Sequence, residues 1–428
     1  MNNFNNNTST KGEVSVENIS NITLSNEITW FEKRCRNIVF NTLAKISYGS
    51  LVIIEKAERF TFGANTSTDN AVDILQGKLI VRDMSLYKDL VLKGSIGAAE
   101  AFIEGKWTSP DLTAVIRIFA KAQQLTDQLE GKKGWLSRVK NTLIHRANRN
   151  THKGSKNNIA AHYDIGNELY TRFLDSKMMY SGAIYPHSKA SLEEAQLHKL
   201  NTICQRLELT ENDHLLEIGT GWGGLAIHAA QFYGCKVTTT TISEEQYEYA
   251  QQKVHELGLT DKITLLKKDY RDLDGSYDKL VSIEMIEAVG YEFLPSFFKQ
   301  CNQLLKPGGK MLLQSITIAD QRFEHYRNSV DFIQRYIFPG GFLPSVTEIS
   351  KRTTRHTDMI IESMHDIGLD YAQTLAHWRE NFLASWNELT NFGYDEKFKR
   401  LWLYYLGYCE GAFLERATST VHVIMRKQ

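Results

Sequence analysis

A chain of 428 residues with 42% hydrophobic content can bury a sizeable core, as two domains or one elaborated domain. The 50 Lys and Arg balance the 50 Asp and Glu, which sets aside the basic footprint of a nucleic-acid binder. The 5 cysteines (Cys35, Cys204, Cys235, Cys301, Cys409) form no CxxC pair and the 13 histidines no HExxH, which argues against a disulfide framework or a zinc site.

No apolar run approaches the ~20 residues of a spanning helix, and the Asn/Ser/Thr-rich start is not a signal peptide, so a cytoplasmic protein is expected. Residues 1–25 are polar and low in complexity, the composition of a disordered tail. Apolar residues recur at helical spacing from Trp30 to Tyr48. Leu51–Ile54, Arg59–Phe62, Ala71–Leu75 and Leu79–Val81 have the pattern of short strands. Leu86–Leu92, Ile96–Glu104 and Asp111–Ala122 are predicted helices, with Ser109-Pro110 marking the start of the last. Residues 26–130 thus form an α+β module without a catalytic cluster, suited to lipid binding or to packing and dimerisation, with a homodimer as one outcome.

Residues 131–158 carry eight Lys/Arg and no acid, and Trp135, Leu136, Val139, Leu143 and Ile144 fall near one helical face. Such a basic amphipathic linker suits an anionic lipid surface, where each basic residue contributes about 1 kcal/mol. A solvated linker helix is the alternative.

From residue 159 to 428 the pattern becomes α/β. Asn167–Leu174 and Ser191–Leu207 are helical, and His214–Ile218, Lys236–Thr241, Ile263–Lys267, Lys279–Ile283 and Lys310–Ile316 are strand candidates with helices between them. Gly308-Gly309 is expected as the turn before the last. The alternation predicts a doubly wound parallel sheet with its ligand at the strands' carboxyl ends. Leu215-Leu216-Glu217-Ile218-Gly219-Thr220-Gly221-Trp222-Gly223-Gly224 runs from an apolar strand into a glycine turn and a helix. It lacks both phosphate-binding fingerprints, so the ligand need not carry phosphates. The aromatic residues that follow the sheet (Phe332–Ile337, Trp378, Phe382, Trp386, Trp402, Tyr404, Tyr405, Phe413) suggest a greasy pocket or an ordinary core.

The glycine turn resembles motif I of class I S-adenosylmethionine (SAM) methyltransferases, in which Glu217, Gly219, Gly221 and Gly223 would face the methionine end of SAM. Thr241, Ile242 and Gln246 stand where the ribose is held, without the usual acid. Asp269 can accept from the adenine amino group and Tyr270 can stack on the base. A wider set of motifs resembles the cyclopropane-fatty-acid synthase and mycolic-acid methyltransferase family: His162-Tyr163-Asp164, Tyr180-Ser181-Gly182, Asp269-Tyr270-Arg271-Asp272-Leu273, Glu284-Met285-Ile286-Glu287, Tyr336-Ile337-Phe338-Pro339-Gly340-Gly341, Leu343-Pro344-Ser345 and Asp370-Tyr371. The match runs from Ala161 to Lys427, and a weaker likeness covers the N-terminal module through Gly94–Trp107.

The resemblance implies methyl transfer from SAM to a double bond in the acyl chains of membrane phospholipids, by an enzyme lying peripherally on the inner membrane surface. Tyr180 and Ser181 would touch SAM. A bicarbonate ion would take up the released proton, held by Glu287, Tyr371 and the backbone at Ile316. Two positions depart from the family: its cysteine after Tyr-Ser is Gly182, and its histidine on the last strand is Gln314. The anion site is then poorer in polar contacts, or rebuilt, and a methyl- or methylene-branched product becomes an alternative to a cyclopropane. Cys409 matches a cysteine considered catalytic in the family, although a thiol nucleophile is unnecessary when SAM is the electrophile. The rival expectations are a methyltransferase of a small-molecule amine and a non-catalytic SAM- or lipid-binding protein.

Overall fold

The structure is a computed structural model that describes residues 28–63, 74–122, 150–151, 154–155 and 166–428. The expected tail, most of the basic amphipathic linker and His162-Tyr163-Asp164 lie outside the described residues.

The first described unit is a four-stranded sheet, β2-β1-β3-β4, of β1 (Ser50–Glu55), β2 (Glu58–Gly63), β3 (Gln76–Val81) and β4 (Trp107–Thr108). The strand expected at Ala71–Leu75 is not found: 71–73 lie outside the described residues and Ile74 and Leu75 are irregular. Helix α1 (Trp30–Leu43) is opened by a reciprocal Thr29–Glu32 capping box and stops short of the expected Tyr48. The two helices expected from Leu86 and Ile96 are one helix, α2 (Leu86–Ile103), broken at Gly94 with φ 62° and ψ −136°. Helix α3 (Leu112–Lys121) follows and packs on the late helix Glu396–Leu414.

The second sheet has seven strands in the order β10-β11-β9-β8-β5-β6-β7. They are β5 (His214–Ile218), β6 (Lys236–Thr240), β7 (Ile263–Leu266), β8 (Tyr277–Ile283), β9 (Leu305–Ile318), β10 (Met359–Asp366) and β11 (Thr418–Lys427). Five strands run parallel as expected; β11 is antiparallel to β9 and to β10, and both late strands are additional to the five candidates. Gly308-Gly309 is not a turn before the strand. It lies inside β9, where the register against β8 slips between Tyr277 and Lys279. The chain leaves β5 towards β6 and β7, then returns to β8 on the other side. The ends of β5 and β8 therefore form the switch point where such sheets bind ligands.

One hydrophobic core runs from β1, β3, α2 and α3 into the helices Gly368–Ala384 and Glu396–Leu414. Trp402, at 0% exposure, stacks on Phe398 and meets Phe173 edge-on. Replacing a buried ring of that size by alanine costs about 3–5 kcal/mol. Trp402→Ala should therefore lower the urea midpoint of unfolding strongly, whereas Phe392→Ala, at an exposed position, should leave it almost unchanged.

Candidate active site

The apolar run of β5 carries Glu217 into the interior at 2% exposure, and the chain then turns on Gly219, Gly221 and Gly223, with φ of 102°, 53° and 91°. A side chain rarely adopts that sequence of torsions, which is why the turn is glycine-rich. Gly219 N and Thr220 N both donate to Thr240 O on β6, at 3.1 and 3.0 Å, and fix the turn to the sheet. Glu217 Oε2 accepts from Thr239 Oγ1 at 2.6 Å, and burial pushes this carboxyl up to about 8. Beyond β6, Thr241 Oγ1 donates to Gln246 Oε1 at 2.9 Å; both side chains are buried. Asp269, expected to face an adenine amino group, is already gripped by Arg271, with Nε on Oδ1 at 2.8 Å and Nη2 on Oδ2 at 2.6 Å. Arg271 Nη1 in turn reaches Asn150 O at 3.1 Å. The Tyr270 ring is buried edge-on against Phe297. Opposite the turn, Tyr180 shares a 2.9 Å hydroxyl contact with Tyr405, and Ser181 Oγ accepts from the buried Lys199 Nζ at 2.7 Å.

At the end of β8 the structure assembles something that spacing alone does not display. Glu284 takes φ 51°, a left-handed torsion unusual for a non-glycine residue. Its Oε1 accepts from Gly182 N at 3.0 Å and from Gln314 Nε2 at 2.7 Å, and its Oε2 accepts from Tyr371 OH at 2.8 Å. Behind Gln314 stands His422, its antiparallel partner on β11. Arg206 Nη1 lies 2.7 Å from His422 Nδ1, and His422 Nε2 lies 2.8 Å from Gln314 Oε1. An arginine can only donate, so Nδ1 accepts and Nε2–H donates onward. Burial holds His422 far below the usual histidine range, hence neutral. The chain Arg206, His422, Gln314, Glu284 is polarised along its length toward the carboxylate, and Gln314 is locked with its amide nitrogen facing Glu284.

Glu287, one turn further on, accepts at Oε1 from Ile316 N (2.6 Å) and Ser315 Oγ (3.1 Å), while its Oε2 is buried without a hydrogen-bond partner. Burial first, and the neighbouring Glu284 charge second, push Glu287 up to about 8; burial also raises Glu284. Burial raises the Tyr371 phenol and the Cys409 thiol as well, so both keep their protons at neutral pH. A protonated thiol is a poor nucleophile, which leaves Cys409 as a lining group.

The structure thus brings Glu287, Tyr371, Gln314 and Cys409 to one cavity wall or directly behind it, and Tyr180, Ser181, Glu217, Gly219, Gly221, Thr241, Ile242, Gln246, Asp269 and Tyr270 around the same cavity. Gly223 shapes the turn without lining the cavity. Arg206, His422 and Lys199 carry no signal in the sequence, and Glu284 opens the family-like stretch Glu284-Met285-Ile286-Glu287 without a role being assigned to it. Of the aromatics, Tyr404, Tyr405 and Phe413 line the cavity, whereas Trp378, Phe382 and Trp402 are fully buried core. The cavity has a volume of about 580 Å³ and extends from the glycine turn into the N-terminal unit, where Val39, Leu79, Leu90, Ala98, Ile116 and Phe119 line it.

The sequence profile of the mycolic acid cyclopropane synthetase family matches residues 150–423. The chain is 36% identical over 363 residues to the tuberculostearic acid methyltransferase UfaA1 of Mycobacterium tuberculosis, covering 83% of this chain and 84% of that protein. It is also 36% identical over 351 residues to the cyclopropane-fatty-acyl-phospholipid synthase of Escherichia coli, covering 81% and 87% respectively. Among solved structures, mycolic acid cyclopropane synthase CmaA1 in complex with SAH and CTAB superposes with a TM-score of 0.60 at 27% identity, over 64% of this chain and 98% of that one. The glycine turn, the switch-point cavity and these likenesses agree, and the chain belongs to the mycolic acid cyclopropane synthetase family of SAM-dependent methyltransferases.

Proposed function

We propose that the enzyme methylates a double bond in an unsaturated acyl chain of a membrane phospholipid, giving a cyclopropane or a methyl- or methylene-branched chain. The observation that carries this is the single cavity joining the glycine turn to an apolar channel in the N-terminal unit. A channel of that volume and lining suits a long apolar ligand. Two relatives support it, one named a cyclopropane-fatty-acyl-phospholipid synthase and the other a tuberculostearic acid methyltransferase.

When bound, SAM supplies an electrophilic methyl group, which the alkene's π electrons attack to leave a cation that must lose a proton. Glu217 is positioned for the ammonium of the methionine part. Thr241 occupies Gln246 Oε1, which leaves the Gln246 amide nitrogen for a ribose hydroxyl. Tyr270 offers its ring to the base, Tyr180 and Ser181 close the opposite side, and Tyr405 and Phe413 add aromatic rings to the cavity wall. We assign the enzyme a peripheral contact with the inner membrane surface, with the basic amphipathic segment as the attachment. Among the described residues no helix is long and apolar enough to cross a membrane.

Bicarbonate does not fit these residues. The donors that would hold it already serve the protein's own carboxyl groups: Gly182 N, Gln314 and Tyr371 donate to Glu284, and Ile316 N donates to Glu287.

Methyl-labelled SAM and vesicles of an unsaturated anionic phospholipid test the reading: label should enter the acyl chains, and NMR of the product separates a strained ring from a branch. Ala98→Trp, which fills the channel far from the glycine turn, should cut this turnover at least about tenfold while leaving SAM affinity unchanged. Full activity in that variant, or label found only in a small amine, would count against the acyl channel.

A further inference from the structure

We propose that Glu284 is the proton acceptor of the reaction, a carboxylate of the chain itself standing where the family resemblance places a bicarbonate ion. The proposal rests on the acyl-chain alkylation proposed above and assigns its last step. After the alkene has bonded to the methyl carbon, one C–H bond breaks. If it is on the new methyl group, its electron pair closes a C–C bond to the cationic carbon and makes the ring; if it is on a chain carbon beside the cation, the pair makes the C=C bond of the branched chain. The proton goes to a Glu284 carboxylate oxygen, and the carboxylate becomes a neutral acid.

Several independent features converge on this group. Glu284 lines the cavity beside Glu287 and Tyr371. Its three donors come from three separate elements: the loop at Gly182, strand β9 at Gln314 and the helix Gly368–Ala384 at Tyr371. This is how an anion site is built, except that the anion is covalently attached. The backbone at Glu284 holds a left-handed torsion to deliver it, the kind of strain that collects at functional sites. The two departures from the family pattern fit the same arrangement. Gly182 is forced by space: a Cβ there would stand 2.7 Å from the Tyr371 ring, and without one the ring can lie across the loop and donate to Glu284. Gln314 does not need to be cationic, because the charge of Arg206 reaches it through His422 as a directed hydrogen-bond chain. Lys199, fully buried nearby, adds a second favourable charge.

The neighbouring Glu287 completes the logic. Two carboxyl groups this close do not both ionise readily. Glu284 has three donors and Glu287 Oε2 has none, so the pair holds its negative charge on Glu284 and its proton on Glu287 near neutral pH. The pair then carries one charge and one proton, the same inventory as a hydrogencarbonate ion. Gln314, His422 and Arg206 are positioning residues in this scheme.

Two substitutions and one buffer change test it on the full-length enzyme. Glu284→Gln keeps the shape and removes the base; turnover should fall at least about 100-fold with SAM affinity within about twofold of wild type. Glu284→Gly keeps the left-handed torsion and frees the three donors. It should be inactive in carbonate-free buffer and regain a measurable rate, saturating with concentration, when bicarbonate or formate is added. Wild-type turnover should be indifferent to carbonate removal. A wild-type enzyme that needs added bicarbonate, or a Glu284→Gln variant that keeps more than about a tenth of the wild-type rate, overturns the assignment. If wild type moves no label into acyl chains at all, the substrate reading fails and takes this step with it; if wild type does and Glu284→Gln does equally, only this step fails.

Discussion

SAM affinity is expected to rise about tenfold per pH unit between pH 6 and pH 7.5 and to level off above 8, and Glu217→Gln should flatten that profile. The reason lies in the burial of Glu217 at the end of β5. With 2% exposure and one hydroxyl donor, its carboxyl is held up to about 8 and is neutral in the ligand-free enzyme at pH 7. A neutral acid offers little to an ammonium group, so binding must first ionise it, and the proton released appears as a slope in the affinity. The sign follows from linkage. A carboxyl whose folded pKa is raised favours the folded state most below the unfolded value near 4.5, and that contribution is lost as pH rises through about 8. SAM supplies the missing cation, so the gain in thermal stability on adding SAM should grow from pH 6 to pH 8.5. At pH 8 the glutamine variant loses a charge-assisted contact worth about 2 kcal/mol, or about 30-fold in affinity. Calorimetric titration at several pH values decides the matter: a wild-type affinity that is flat from pH 6 to 8 would mean Glu217 does not meet the ammonium.

That dependence was half legible in the sequence. An apolar run ending in an acid and three glycines announces a strand, a turn and a strand-end carboxylate, because period, length and turn chemistry all act locally; its burial depends on the rest of the sheet. The parallel strands β5 to β9 were readable for the same reason. Strands β10 and β11 were not. β10 lies at the sheet edge with a half-exposed, charged face, and β11 buries His422 in the middle of its run, so neither shows the alternation that marks a strand. Missing β11 meant missing His422, whose partnership with Gln314 depends on an antiparallel register across 108 residues of chain. Glu284 escaped for a similar reason. Nothing adjacent to it signals that Ile283 pairs with Gln314, or that a loop a hundred residues earlier will lay a backbone N–H against its carboxylate. The aromatic helices show the same limit: Trp402 and Tyr405 are three residues apart, yet one is core and the other faces the cavity. Which side of a helix meets a ligand is decided by its neighbours.

Gly182 offers the sharpest test of the carboxylate site, because adding one methyl group should disable it. A Cβ at this position would stand 2.7 Å from Tyr371 Cδ1 and 2.9 Å from Cγ. The ring has nowhere to go: it stacks on Phe413 with centroids 4.6 Å apart and meets the edge of Trp378 at 6.0 Å. Either Tyr371 shifts and its hydroxyl leaves Glu284 Oε2, or the loop lifts and the residue 182 N–H leaves Oε1. Both outcomes take a donor from the carboxylate, and losing one preorganised donor at a charged site lowers turnover about 100-fold. Gly182→Ala, and equally Gly182→Cys, should therefore be nearly inactive, at a stability cost of only about 1–3 kcal/mol for the overpacking. Tyr371→Phe should lower turnover by a similar factor without crowding the loop. Because both changes act on one carboxylate, the double variant Gly182→Ala/Tyr371→Phe should be far less impaired than the product of the single losses. SAM affinity should stay within about threefold in Tyr371→Phe, which leaves both the glycine turn and the Tyr180-Ser181 loop in place. Multiplicative losses would place the two residues in separate roles, and an active Gly182→Cys enzyme would show that the ring can yield.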